Sequence, residues 1–232
     1  MKDLPFIILI VLAFTLGCGR LTERFTKSAD NTTVVNTSSS EQTTSTTDTT
    51  PPSGDPREDV VQASKRFLKL PKFRANMQAH GTSDLRIKMD YVAPNKFHIY
   101  FLDKDGQVKT ESIMIGSDRY MNFNGRWLKI PGATDENAIP KLRDLFNEEG
   151  LKTLKEVKYE GDEAIADQPA HIYSYRSNQT NSNAPYPFTS RIWVGGFDGL
   201  PHKMEVTYEG GQLKSMTVIY DFKTDISIEP PV

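Results

Sequence analysis

From residue 73 onward the chain alternates apolar and polar side chains with a period of two, a pattern that few architectures other than a half-buried sheet can satisfy. Phe73, Ala75, Met77 and Ala79 alternate with Arg74, Asn76, Gln78 and His80. Leu85, Ile87, Met89 and Tyr91 alternate with Arg86, Lys88 and Asp90, and Phe97, Ile99 and Phe101 with Lys96, His98 and Tyr100. Successive side chains of a strand point to opposite faces, so each segment predicts a strand with one apolar and one polar side. "DKDG" (103–106) marks a hairpin turn into "VKTESIMIG", and Asn124-Gly125 within "NFNGRW" (122–127) suits a two-residue turn. Further strands are expected near 154–160, 169–176, 188–194, 201–208 and 212–221, with "FDGLP" and "YEGGQ" as turns between the later ones. The sum is a long antiparallel meander of about ten or eleven strands.

Two short helices accompany it. In "DPREDVVQASKRFLKL" Asp55 is placed as N-cap, Pro56 at the first helical position and Glu58 in the first turn. Val60, Ala63, Phe67 and Leu70 then recur at helical spacing until Pro71 stops the run. A second helix is expected near "IPKLRDLFNEEG", with Leu142, Leu145 and Phe146 on one side and Gly150 as its C-terminal stop.

An apolar sheet face must be covered. A closed barrel covers it with itself; a partly open one covers it with helices and leaves a pocket. Two short helices are a sparse cover for so wide a sheet. Met77, Met89, Met204 and Met216, spread through the strands, suit an adaptable apolar surface. The expected lining of such a cavity is Phe73, Met77, Leu85, Ile87, Met89, Phe97, Ile99, Phe101, Ile113 and Ile115. From Leu85 to Ile115 these residues take the apolar phase of adjacent strands and are expected to share one face.

The N-terminus has a different character. Met1 and Lys2 precede an apolar stretch from Leu4 to Leu16, too short to span a bilayer, which needs about 20 residues. It predicts the h-region of an export signal. Thr15-Leu16-Gly17 leads into Cys18, the sole cysteine of the chain, and this resembles the lipobox of bacterial lipoproteins. Thr15 departs from the Leu preferred there. The resemblance implies cleavage before Cys18 and its acylation, with chains that hold the protein on a membrane. Thr and Ser dominate the next segment, which ends on Pro51, Pro52 and Gly54; it cannot bury enough apolar area to order itself. Residues 19–54 would then act as a tether with a reach of roughly 30–35 Å. The expected organisation is a signal peptide at 1–17, lipidated Cys18 and tether at 18–54, and one folded domain at 55–232.

Several classes are set aside. A formal net charge of -2 lacks the basic excess of a nucleic-acid binder. One cysteine precludes an intramolecular disulfide and any zinc site built on several cysteines. No G-x-S-x-G elbow, P-loop or H-E-x-x-H occurs, and His80, His98, His171 and His202 are dispersed. No catalytic residue, metal or cofactor is expected. Trp127 and Trp193 are expected to pack in the sheet wall.

The order of elements, with "RIWVGGFDGLPHKMEV" and "MTVIYDFKTDISIEPP" as closing strands, resembles the LolA/LolB and mycobacterial LppX/LprG superfamily over about residues 57–232. The Trp-bearing strand, the Asp-Gly-Leu-Pro turn and the Pro-rich end carry that resemblance. It implies a mainly β fold: an antiparallel, unclosed β-barrel (a curved sheet) with helices covering a hydrophobic cavity. It also implies a non-enzymatic carrier or acceptor that binds acyl chains of lipids or lipoproteins. Such a protein would sit in the cell envelope, lipid-anchored at the periplasmic face of the outer membrane or the outer leaflet of the inner one. The alternative is a sensor or scaffold of the RseB type that binds an envelope protein partner.

Overall fold

The structure, a computed structural model, describes residues 52–131, 146, 148–165, 167–178 and 186–231. The expected signal peptide, Cys18 and nearly all of the tether lie outside the described residues, as do Leu142 and Leu145. The described residues fall within one compact unit, Thr46–Val232.

The opening helix, α1 (Pro56–Leu68), forms as its sequence predicts. Asp55 is extended, and its carboxylate accepts the backbone N–H of Arg57 at 2.9 Å. Pro56 follows where no N–H is required. Val60, Ala63 and Phe67 are buried, the stripe that the helical spacing marks. Most of the second expected helix, residues 139–145 and 147, lies outside the described residues; α2 spans Glu148–Lys152, so Gly150 lies inside it rather than stopping it. Thr153 closes the turn instead, its N–H and hydroxyl both donating to the Gly150 carbonyl at 3.0 and 2.7 Å.

Eleven strands follow the alternation: β1 (Lys72–Gly81), β2 (Leu85–Val92), β3 (Lys96–Leu102), β4 (Val108–Ile115), β5 (Asp118–Phe123), β6 (Arg126–Ile130), β7 (Leu154–Ile165), β8 (Gln168–Ser177), β9 (Phe188–Gly195), β10 (Pro201–Tyr208) and β11 (Leu213–Asp221). The turns obey local chemistry. Asn124 and Gly125 both take positive φ (53° and 81°), the geometry of a two-residue hairpin whose twist matches its strands. Asp103 folds the β3–β4 loop by accepting the N–H groups of Asp105 and Gln107 at 2.9 and 2.8 Å.

Pairing differs from one continuous meander. The spatial order is β6-β5-β4-β3-β2-β1-β11-β10-β9-β8-β7, all antiparallel where paired. Two meanders are therefore fused through β1 and β11, with Met77 opposite Val218 and Ala75 opposite Tyr220. The sheet is not closed, and β6 and β7 are its edges. β7 is blunted by charge and by two register shifts, near Glu156 (φ 54°) and Gly161 (φ 125°), which discourage pairing with another chain. Among the described residues no helix is long and apolar enough to cross a membrane.

The main core lies on one face, here the inner one, where α1 packs over the centre of the sheet. The Phe67 ring sits 4.8 Å from Phe73, 4.9 Å from Phe146 and 5.0 Å from Tyr220. Phe67→Ala is expected to lower stability by about 3–5 kcal/mol, because so enclosed a site cannot collapse around the loss. Ile219→Ala, on the outer face at 49% exposure, should change it by less than about 0.5 kcal/mol. Urea unfolding of the two variants measures the difference.

Candidate functional site

The inner face divides into two parts. Over β1 and β7–β11 it is packed. Met204, Val206, Val218 and Ile192 are fully buried beneath α1 and its neighbours. The Tyr173 hydroxyl donates to Asp59 of α1 at 2.9 Å, and the Arg57 guanidinium donates to the Leu151 carbonyl at 3.0 Å, so the helix is fastened at its N-terminal end. Burial raises the hydroxyls of Tyr173, Tyr175 and Tyr220 well above the ordinary tyrosine range, which keeps them neutral.

Over β2–β6 the same face stays apolar, but among the described residues no helix covers it as α1 covers the centre. The register carries Tyr91, Phe97 and Met114 across at one level, Met89, Ile99, Ser112, Met121 and Leu128 at the next, and Ile87 and Phe101 beyond. Ile87, Met89 and Ile99 are buried in the main core, while Phe97, Phe101 and Met114 are only partly buried against it. Further out the apolar groups face solvent: Leu85 is 42% exposed, Phe123 48% and Leu128 51%. An apolar stretch running from core to surface along one face marks a binding surface more often than a packing fault.

The expected lining is thus partly redistributed. Phe73, Met77, Leu85, Ile87, Met89, Phe97, Ile99 and Phe101 share the inner face, with Phe73 lying directly under the Phe67 ring. Ile113 and Ile115 do not. Ile113 pairs with His98 and Ile115 with Lys96, both on the outer face. In "SIMI" each phase carries a large apolar side chain, Met114 in one and Ile113 and Ile115 in the other, and pairing across the β3–β4 turn puts Ser112 and Met114 inside. Ile113 is nonetheless buried, in a separate outer cluster with Tyr120 and Ile228. The C-terminal segment supplies that cover. Asp221 turns the chain by accepting the N–H groups of Lys223 and Thr224, and Lys96 donates to the Ile228 carbonyl at 3.0 Å. Met114, Met121, Phe123 and Leu128 were hidden from sequence reading, because Tyr120 and Trp127 make the opposite phase of β5 and β6 apolar too.

Elsewhere on the sheet polar side chains are paired, beside a second outer apolar cluster of Ala170, Ile172 and Trp193. Arg74 donates twice to buried Asp90, at 2.6 and 2.8 Å, and this contact raises its pKa. His98 meets Glu111 at 2.8 Å and the Tyr100 hydroxyl at 2.9 Å. His80, His171 and His202 each pair with one aspartate, and among the described residues no group of three or more His, Cys, Asp or Glu could hold a metal. Trp127 packs on the outer cluster, and Trp193 is buried with its indole N–H donating to Glu163 at 2.9 Å; both are wall residues.

No family model matches this chain, and no curated protein matches it in sequence. Among solved structures it is similar to the Mycobacterium tuberculosis lipoprotein LppX, with TM-score 0.59 and 11% identity over 77% of this chain and 100% of that one. It is also similar to LprF from Mycobacterium bovis, with TM-score 0.57 and 10% identity over 78% of this chain and 98% of that one. MucB reaches a TM-score of 0.46 over 75% of this chain and 60% of that one, too slight a likeness to carry an argument. At such identities the likeness is one of fold: the chain has the fold of LppX and LprF.

The two faces separate by substitution. Ile113→Asp would bury an unpaired carboxylate beneath the C-terminal segment and should cost more than about 3 kcal/mol. Phe123→Asp, on the uncovered part of the inner face, should cost less than about 1 kcal/mol. Thermal melts followed by circular dichroism check both.

Proposed function

We propose that this protein is an envelope lipoprotein, anchored through acylated Cys18, whose inner sheet face binds the acyl chains of a lipid or lipoprotein as carrier or acceptor. The observation that carries the reading is the continuity of the inner face, apolar from the buried core under α1 out to exposed Phe123 and Leu128. A flexible hydrocarbon suits such a surface. It has no hydrogen bonds to satisfy, and each buried methylene contributes about 0.8 kcal/mol. Met89, Met114 and Met121 adapt to chains of differing length and kink. The fold it shares with LppX, itself a lipoprotein, supports the reading.

The anchor and the binding face fit together physically. An acylated N-terminus on a tether of residues 19–54 would hold the domain near a membrane while leaving the inner face free to meet it. No step in such a cycle requires a nucleophile, a metal or a cofactor.

Fractionation and native mass spectrometry of the full chain test the proposal together. The wild type is expected in the membrane fraction with co-purifying lipid, and Cys18→Ala in the soluble fraction. A Cys18→Ala variant that remains membrane-bound contradicts the anchor. Protein carrying no lipid and binding no fluorescent acyl probe contradicts the binding face.

A further inference from the structure

Arg119 is out of place on the inner face. It stands near the start of β5, with Met114 of β4 and Ile130 of β6 as its register neighbours. Next along the strand, Tyr120 belongs to the outer cluster with Ile113 and Ile228, so alternation sends Arg119 inward. Met121, two residues on, lies inward with Ser112 and Leu128 as its neighbours. Phe97 faces Met114 across the adjoining pair of strands. A guanidinium is therefore set among Phe97, Met114, Met121 and Ile130. Along the inner face of β1–β6, the other side chain charged at neutral pH is Arg126, exposed at the far end of β6.

Its bonding is incomplete. The Arg119 Nε is buried and has no hydrogen-bond partner. The acidic groups nearest in register are engaged on the other side of the sheet. Glu111 accepts from His98 and Asn122, and Asp118 pairs with Lys129 at 2.9 Å. Burying a cationic N–H without an acceptor is costly, and a core that needed only bulk there would use an aliphatic side chain. The planar fork of an arginine matches the two oxygens of a carboxylate or phosphate, and its pull strengthens where water is scarce.

We infer that Arg119 is the headgroup contact of the inner face. It binds the oxyanion of an amphiphile, a fatty-acid carboxylate or a lipid phosphate, whose chain lies along Phe97, Met114 and Met121. The inference rests on the acyl-binding reading and adds a polarity to it: the charged end is fixed at the β5 start, and the hydrocarbon runs into the apolar face. Arg119 gives the site a preference that hydrocarbon contacts alone cannot supply.

The test compares one chain with two ends. Binding of cis-parinaric acid and of its methyl ester to the full chain is followed by fluorescence, in the wild type, Arg119→Gln and Arg119→Lys. The wild type is expected to bind the acid about tenfold or more tighter than the ester, as a charge-assisted contact would give. Arg119→Gln should bind both with the affinity of the ester, and Arg119→Lys, which keeps the charge but loses the fork, should retain a reduced preference. Displacement of the acid by oleate and not by dioleoyl phosphatidic acid assigns the carboxylate, and the reverse assigns the phosphate. Equal binding of acid and ester by the wild type overturns the inference and leaves acyl binding standing, as does a glutamine variant that keeps the preference. Failure of the wild type to bind either probe overturns both. The wild-type comparison stands even if Arg119→Gln does not fold.

Discussion

The antiparallel pairing of β1 with β11 is the constraint on which the rest depends. It joins the first strand to the last at the centre of the sheet, so the chain's two meanders share one inner face. It also leaves β6 and β7, consecutive in sequence, at opposite edges. The chain from 131 to 153 connects them. Its described end, with Phe146 and Leu151, is buried in the inner core against α1. A sheet built this way stays open and needs its cover from helices and connections.

That cover is unequal. α1 is fastened over the centre by Phe67, Asp59 and Arg57, and beneath it the packing is dense enough to bury tyrosine hydroxyls, Tyr220 without a partner. Toward β6 the same alternation continues, and Phe123 and Leu128 stand about half exposed. The apolar surface left there is a standing cost to the free protein, and a hydrophobic occupant would remove it. On the outer face the reverse holds. Polar groups find partners in one another, and the C-terminal segment covers the apolar patch around Ile113.

Much of the architecture was legible in the sequence, because local chemistry decides it. The Asp55 cap, the Asn124-Gly125 turn and the strand spans follow from steric and hydrogen-bonding rules that act over a few residues. Three features were not legible, each because it depends on distant partners. The β1–β11 pairing is set by which strands meet in three dimensions. The phase of β4 and β5 cannot be read where "SIMI" and "RYMNF" are apolar or amphipathic in both phases, so Ile113 and Ile115 appeared to share a face with Ile99. The seating of Ile226 and Ile228 on the outer face shows only once the chain turns at Asp221. Met114, Met121 and Arg119 on the inner face were hidden by that phase ambiguity. A strand with a large apolar side chain on each side gives no inward direction until its neighbours are known.

The central claim is that a hydrocarbon chain occupies the inner face on the β2–β6 side. Photo-crosslinking with a diazirine-bearing fatty acid, followed by peptide mapping of the adducts, tests it most directly. Saturable labelling of Phe97, Phe101, Met114 and Met121, competed by unlabelled fatty acid, is the result expected. Labelling confined to the outer cluster of Ile113, Tyr120 and Ile228, or labelling that unlabelled fatty acid does not compete, would contradict it.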